Sequence, residues 1–176
     1  MGVFVYCYTA TGKSTLNKKY ANVIDMESTI YKYINTPIEI EKEKGTKREI
    51  NNDYPNNYFK ALENVKNKYD YILVSDNICD KWFQENNIEY WQVYPNIDLK
   101  EEYLNRMKQR GNNQDFIDYQ SKLWNEWVKG CKNDKFAAKH IELQEGQYLE
   151  DVLPNLKLKV WYDRLYKRYF KRQRLR

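Results

Sequence analysis

The sequence predicts an α/β fold with a mainly parallel sheet, because short apolar segments alternate with amphipathic ones along most of the chain. VFVYC, near the start, and YILV, in the middle, are continuously apolar and rich in β-branched or aromatic side chains, which is typical of strands buried on both faces. Between such segments, apolar residues recur every three or four positions, as they do in amphipathic helices. This alternation favours βαβ units, whose strands run parallel.

Strands and helices are predicted to alternate as far as residue 153. The strands are VFVYCY, NVIDM, DYILVSD, IEYWQVYP and KHIELQ. The helices are GKSTLNKKY, ESTIYKYI, NYFKALENVKNKY, NICDKWFQENN, DLKEEYLNRMKQR, DFIDYQSKLWNEWVKGC and QYLEDVL. Asp98 is expected to cap the fifth of these helices, and Gly111 follows its end. The polar segment 36–57, which contains two prolines, is predicted to be an irregular insertion.

The composition indicates one folded domain and argues against several kinds of site. The 176 residues are 41% hydrophobic and 16% aromatic, which is too apolar for a disordered chain. No apolar run reaches the roughly 18 residues of a membrane span, so we expect a soluble, cytoplasmic protein. Cys7, Cys79 and Cys131 form no paired motif, and His140 is the single histidine. A disulfide framework, most zinc sites and histidine-based triads are therefore disfavoured.

The segment CYTATGKST carries the most specific motif in the sequence. Gly12, Lys13 and Ser14 match the end of the phosphate-binding pattern G-x-x-x-x-G-K-[ST], and Cys7 stands where its first glycine belongs. In such a loop, backbone N–H groups surround the phosphates, the lysine contacts the β/γ oxygens and the hydroxyl binds magnesium. Because the segment follows a buried strand and precedes a helix, we interpret it as a phosphate-binding loop rather than a chance turn. Its nucleotide-binding residues would be Thr9, Ala10, Thr11, Gly12, Lys13, Ser14 and Thr15.

Three acidic residues follow the second and third predicted strands. Asp25 and Glu27 lie in VIDMES, and Asp76 ends LVSD. Open α/β sheets bind ligands at the carboxyl ends of their strands, so these carboxylates are expected to converge on the loop. Together with Ser14, Asp25 and Asp76 would serve as oxygen ligands for Mg²⁺. The alternative interpretation is that each acid caps the helix that follows it.

Arg106 and Arg110 lie four residues apart and therefore share one helical face, just before a turn rich in glycine and asparagine. We interpret residues 99–113 as a lid whose guanidinium groups neutralise the charge of a transferred phosphoryl group. The alternative is an ordinary solvated face of a helix.

These residues together resemble the small P-loop kinases of the nucleoside monophosphate, shikimate and gluconate kinase kind. The chain resembles more closely the small adenylate-kinase-like proteins of bacteriophages, which include deoxynucleotide monophosphate kinases. The resemblance covers most of residues 3–153 and rests on TATGKST, VIDMES, YDYILVSD, RMKQR and KHIELQEGQYLEDVL. The chain departs from the family pattern at Cys7, at Glu27, where relatives often carry aspartate, and in its C-terminal extension.

The resemblance implies a three-layer P-loop fold with a parallel five-stranded sheet in the order 2-3-1-4-5. It also implies transfer of the γ-phosphoryl group of ATP, with Mg²⁺, to a small acceptor such as a (deoxy)nucleoside monophosphate. Lys13 would contact the β- and γ-phosphates, Ser14 would bind Mg²⁺ and Thr15 would meet the α-phosphate. Asp25 or Glu27 would hold Mg²⁺ through water or take the proton of an acceptor hydroxyl. The two lid arginines would close over the phosphates.

The acceptor is expected to lie against the insertion, here taken as residues 28–58. Arg48 would pair with its phosphate, and Tyr31, Tyr54 or Tyr58 would stack on a base. We assign residues 1–153 to one kinase-like domain and residues 154–176 to a basic C-terminal extension. A phage-encoded protein of this kind would work in the host cytoplasm.

The tail, residues 154–176, concentrates the positive charge of a chain whose net charge is +5. Leu158, Trp161, Leu165 and Tyr169 are spaced as on one face of a helix. Three interpretations remain open: a helix packed on the body, a contact with nucleic acid or another anionic surface, and a self-association helix of a homodimer. The tail also keeps two other functions open. One is a nucleic-acid-binding P-loop protein such as a polynucleotide 5′-kinase, and the other is a non-catalytic nucleotide-binding protein.

Overall fold

The computed structural model describes residues 1–34 and 49–159, which form a five-stranded parallel sheet with helices on both faces. The strands are β1 (Val3–Cys7), β2 (Val23–Asp25), β3 (Tyr71–Val74), β4 (Tyr90–Pro95) and β5 (Lys139–Leu143). Their order is β2-β3-β1-β4-β5, and every neighbouring pair is parallel. The predicted α/β class and the strand order implied by the resemblance are both confirmed.

The helices of the described residues follow the predicted order. They are α1 (Lys13–Lys19), α2 (Thr29–Lys32), α3 (Asn56–Val65), α4 (Ile78–Glu85), α5 (Lys100–Gln109), α6 (Gln114–Lys132) and α7 (Leu149–Val152). Helix α2 is shorter than predicted, since Tyr33 leaves it and pairs with Ile50 in an isolated antiparallel bridge. That bridge brings together the two described parts of the segment 28–58.

The start of the fifth predicted helix differs from the sequence-based expectation. A 3-10 helix, Ile97–Leu99, precedes α5, and the capping side chain belongs to Asn96 rather than Asp98. The Asn96 side-chain oxygen accepts a hydrogen bond from the Asp98 N–H at 2.9 Å. Asparagine caps as well as aspartate does, and here it comes first along the chain. Gly111 lies just past α5 in the left-handed region, with a φ of 80°, as predicted.

Strand β1 is the central strand, and its side chains divide the core into two layers. Phe4 packs on one face with side chains of α3 and α4, whereas Val5 and Cys7 pack on the other with side chains of α1 and α7. A third cluster lies beneath α5 and α6 and contains Tyr8 and Trp124. The parallel arrangement places the carboxyl ends of β1, β3 and β4 side by side, where a cleft opens.

The described part of the tail is extended rather than helical. Leu158 pairs with Tyr20 in an antiparallel bridge, and the Lys159 N–H donates to the Lys19 carbonyl at 2.9 Å. The helix predicted to carry the apolar face of the tail therefore does not include Leu158. This residue and Lys159 instead pair with the backbone at the end of α1. The other positions of that face lie outside the described residues, as does most of the cationic charge of the tail. Within residues 1–34 and 49–159, no helix combines the length and apolarity that crossing a membrane requires.

Candidate functional site

The loop between β1 and α1 presents its backbone N–H groups to the cleft. Ala10 and Gly12 both adopt left-handed backbone angles, with φ values of 58° and 97°. From Thr9 to Thr15, no backbone N–H donates a hydrogen bond to any residue that the structure describes, and the helical pattern starts only with the Leu16 N–H bonded to the Gly12 carbonyl. Consecutive free N–H groups at the start of a helix form a concave site for an anion.

Neighbouring elements hold this loop in shape. The Tyr8 N–H donates to the Val93 carbonyl at 2.9 Å, and the Thr11 hydroxyl donates to the Tyr8 carbonyl at 2.9 Å. At the other side, the Leu149 N–H of α7 donates to the Thr11 carbonyl at 3.0 Å. The hydrogen bonds that fix the loop therefore use mainly its carbonyl oxygens and leave its N–H groups available.

Cys7 shows how the loop accommodates a side chain at the position of the first glycine. It is the last residue of β1, has no left-handed backbone angle, and is 2% exposed among the core side chains of α1 and α7. Its thiol donates to the Val5 carbonyl at 3.2 Å, and burial raises its pKa to about 12. The side chain thus points into the core as a neutral thiol. Nothing in this geometry requires a glycine.

Gly12 is the loop position where glycine is required. A Cβ atom there would lie 3.3 Å from a ring carbon of Tyr148, in addition to the strain of a φ of 97°. We expect Gly12→Ala to lower the free energy of unfolding by about 1–2 kcal/mol. The matched control is Gly130→Ala in α6, where a Cβ atom meets nothing within 4 Å. That variant is expected to be about 0.5–1 kcal/mol more stable. Equal stability changes in the two variants, measured by denaturant unfolding, would contradict the loop geometry.

Ser14, Asp25 and Lys13 meet at the mouth of the loop. The Ser14 hydroxyl donates to Asp25 Oδ2 at 3.0 Å, and Asp25 Oδ1 is buried without a hydrogen-bond partner. Burial raises the pKa of Asp25, and the positive charges of Lys13 and Arg110 partly oppose that shift. Lys13 itself forms no ion pair within 4 Å among the residues that the structure describes.

The residues at this point fit a nucleotide-bound Mg²⁺ ion better than a protein-enclosed metal. In the described residues, no group of three or more carboxylate, thiol or imidazole side chains is arranged to hold a metal. Magnesium at a nucleotide takes most of its oxygens from phosphates and water, so one hydroxyl and one carboxylate are sufficient on the protein side. The unpartnered Asp25 Oδ1 beside the Ser14 hydroxyl supplies that pair.

Glu27 and Asp76 line the same cleft, but their carboxylates contact protein groups. Glu27 accepts hydrogen bonds from the hydroxyl and the N–H of Thr29, at the start of α2. Asp76 accepts from the Ser28 hydroxyl at 2.7 Å and the Tyr54 hydroxyl at 2.9 Å, and its other oxygen accepts from an N–H at the start of α4. These contacts correspond to the helix-capping interpretation of the two acids.

The two arginines of the predicted lid lie in different environments. Arg106 is buried, forms an ion pair with Glu102, and lies between the rings of Tyr103 and Tyr148 at 4.5 and 3.9 Å. One of its terminal nitrogens, Nη1, is buried without a partner. Arg110 ends α5, is exposed, and forms no ion pair with a described residue. Both side chains line the cleft. Arg106 is therefore fixed in place, whereas Arg110 is free to approach a ligand.

The predicted acceptor-side tyrosines form a packed cluster. Tyr58 is completely buried and donates from its hydroxyl to the Met26 carbonyl at 2.8 Å. Its ring centroid lies 5.3 Å from that of Tyr31 and 6.3 Å from that of Tyr54. Tyr54 in turn bonds Asp76, so the cluster supports the wall of the cleft. Arg48, the fourth predicted acceptor residue, lies outside the described residues.

The cleft has a volume of about 2460 Å³ and extends well beyond the loop. Its far wall contains polar side chains that sequence reasoning missed, namely Asp80, Gln92 and Asp134. Gln92 is a polar residue in the middle of the apolar strand YWQVYP, which is a signal that the sequence did contain. Asp80 lies in the first turn of α4, close after Asp76, and both residues line the cleft. Asp134 lies in a loop, where no local pattern could identify it.

No protein-family model matches the chain, and no curated protein matches it. Among solved structures, the chain is similar to the tunicamycin resistance protein of Deinococcus radiodurans. The two share 13% sequence identity with a TM-score of 0.49, and the match covers 89% of this chain and 99% of that one. This similarity is too low to indicate a function. Any functional argument must therefore use the strand order, the loop and the cleft of this chain.

Proposed function

We propose that the protein is a P-loop phosphotransferase that binds ATP and transfers its γ-phosphoryl group to a small acceptor. The observation that carries the proposal is the loop from Thr9 to Thr15, whose N–H groups have no partner among the described residues and face a large cleft. An anion with several oxygens is the ligand that satisfies such a row of donors. Lys13, which is free of ion pairs with the described residues, adds the positive charge that a triphosphate needs.

The groups around the loop suit in-line transfer. Lys13 and Arg110 both supply positive charge near Asp25, since both oppose the rise in its pKa. These charges would stabilise the negative charge on the equatorial oxygens of the transferred group. Mg²⁺, held by Ser14 and Asp25, would neutralise the phosphates when it is bound. Thr15, exposed on the first turn of α1, is in a position to reach the α-phosphate.

The acceptor is the open part of this proposal. The resemblance implies a (deoxy)nucleoside monophosphate, which would enter from the side of residues 28–58. A polynucleotide 5′-kinase remains the second candidate, because the tail is rich in cations. For a hydroxyl acceptor, the oxygen would form the new bond to the γ-phosphorus as the bond to ADP breaks, and Asp25 would take the proton. Positioning and charge neutralisation would supply most of the rate in either case.

The test is a screen of acceptors with γ-labelled ATP and Mg²⁺. Nucleosides, mono- and dinucleotides and oligonucleotides are incubated separately with the protein, and labelled product is separated from ATP. We expect label transfer to depend on one chemical class of acceptor, together with saturable ATP binding in an equilibrium titration. Binding of ATP without any labelled product would instead favour the non-catalytic alternative. Transfer to oligonucleotides alone, with affinity falling steeply as salt rises, would favour the polynucleotide kinase.

A further inference from the structure

A second group of polar side chains lines the cleft in addition to the loop, and we call it the acidic subsite. It comprises Asp80, Gln92 and Asp134, with the rings of Tyr6 and Tyr90 beside them, and all five residues line the cleft. Tyr6 and Gln92 are register partners on β1 and β4, so their side chains share one face of the sheet. Tyr90 lies on that face too, two residues before Gln92, and its ring centroid is 6.4 Å from that of Tyr6.

Gln92 is the observation that points to a ligand. The side chain is 1% exposed, and its Nε2 atom is buried with no hydrogen-bond partner. An amide donor left unpaired in a protein interior carries a free-energy cost, because it has given up its hydrogen bonds to water. Among the described residues, nothing relieves that cost, although the side chain borders the cleft. A carbonyl oxygen of a bound molecule would pair with it.

Asp80 offers the complementary group. Its Oδ1 atom is also buried without a partner, whereas one Asp134 oxygen accepts a hydrogen bond from the Tyr90 hydroxyl. Burial, together with the carboxylates of Asp134 and Asp76, raises the pKa of Asp80 to about 7. An N–H donor placed against Asp80 would satisfy Oδ1 and favour the ionised carboxylate.

The charges around the subsite disfavour a phosphate there. Asp76, Asp80 and Asp134 repel one another and would repel a phosphate dianion. Lys32 and Lys135 also line the cleft, but neither is among the charges that shift the pKa of Asp80, which are those of Asp134 and Asp76. Uncharged polar groups fit this wall best.

We propose that the acidic subsite binds an uncharged N–H group next to a carbonyl, and that the acceptor is an unphosphorylated nucleoside with such an edge. Gln92 donates to the carbonyl oxygen and Asp80 accepts from the N–H. Uracil, thymine and guanine carry this edge, whereas cytosine and adenine do not. The reacting hydroxyl then lies toward the loop and forms a bond to the γ-phosphorus as the bond to ADP breaks, and its proton passes to Asp25, which contacts Ser14 of the cleft lining. This inference rests on the proposed phosphotransferase function and assigns it an acceptor other than the monophosphate that the resemblance implies.

The experiment compares initial rates of label transfer from γ-labelled ATP to matched acceptors. The panel is thymidine, uridine, guanosine, cytidine and adenosine, each beside its 5′-monophosphate. We expect the first three nucleosides to be phosphorylated with at least tenfold higher kcat/KM than the other two and than every monophosphate.

Two variants test the subsite itself. Gln92→Leu removes the donor, and Asp80→Asn replaces the acceptor oxygen while keeping the shape. Each is expected to raise KM for thymidine about tenfold or more and to reduce the preference over cytidine. The control is Asn64→Leu, at an exposed residue of α3 that does not line the cleft, which is expected to leave both the KM and the preference unchanged. Thermal unfolding should show both subsite variants folded, because each removes a buried group that lacks a partner in the free protein.

The outcomes separate this inference from the proposed function. Faster transfer to any monophosphate than to its nucleoside overturns the inference and leaves the phosphotransferase in place. The same holds if product forms only from acceptors outside the panel, or if the preference survives in both subsite variants. If ATP neither binds nor yields product with any acceptor, the proposed function itself fails.

Discussion

Lys13→Ala is expected to reduce kcat/KM for phosphoryl transfer by about 10³-fold, an effect of the size seen when one fixed donor to a developing negative charge is removed. Lys13 forms no ion pair with a described residue, so its charge is available to the phosphates rather than used for folding. The stability of the variant should therefore stay within about 0.5 kcal/mol of the wild type. Steady-state kinetics with a saturating acceptor, together with denaturant unfolding, measure the two effects separately.

The control for Lys13 is Lys18→Ala, since Lys18 lies on the same helix, is exposed and belongs to its last turn. If Lys13 acted only through the overall positive charge of the protein, both variants would lose activity. If Lys13 contacts the phosphates directly, only Lys13→Ala should lose activity. We expect Lys18→Ala to keep activity within about twofold, because an isolated exposed charge contributes little. Unchanged activity in Lys13→Ala would remove the proposed role of the loop.

Asp25→Asn is expected to lower kcat by about 10²-fold or more, the usual contribution of a positioned acid or base. The carboxylate accepts the Ser14 hydroxyl and keeps one oxygen free, so asparagine preserves the shape but loses the charge that Mg²⁺ and the acceptor proton require. Asp115→Asn, at an exposed residue of α6 that does not line the cleft, is the control and should leave kcat unchanged.

The pH dependence of Asp25 provides a second readout. Because burial raises the pKa of this carboxyl above its usual value, its ionised form is lost as the pH falls through that raised pKa. Transfer to a hydroxyl acceptor should therefore decline on the acidic side in the wild type. The acidic limb assigned to Asp25 should be absent from the remaining activity of Asp25→Asn. An identical acidic limb in both proteins would assign the titration to another group.

Features encoded by contiguous residues could be predicted from the sequence, and features made by distant residues could not. The strand VFVYC, the loop after it and the helix that begins at Lys13 are local, and the structure has all three in the predicted place. The strand order followed from the resemblance and not from the apolar pattern, which does not determine which strands become neighbours. Helix α2 is short because Tyr33 pairs with Ile50, a contact that no local pattern reveals.

The site shows the same division between local and distant information. Tyr58 was a candidate for stacking on a base because tyrosine serves that role well, yet it is completely buried and bonded to the Met26 carbonyl. Arg106 and Arg110 share a helical face in the sequence, but only the packing of Tyr103 and Tyr148 fixes one of them. Asp80 and Gln92 meet the same cleft from different elements, which requires the folded sheet.

The hydrogen bond from the Leu149 N–H to the Thr11 carbonyl has a consequence for biosynthesis. The loop from Thr9 to Thr15 is translated well before α7, but α7 supplies one of the contacts that fix it. A growing chain held on the ribosome therefore carries this loop without that contact until β5 and α7 have left the exit tunnel. Nascent chains should thus retain ATP only after α7 has been translated.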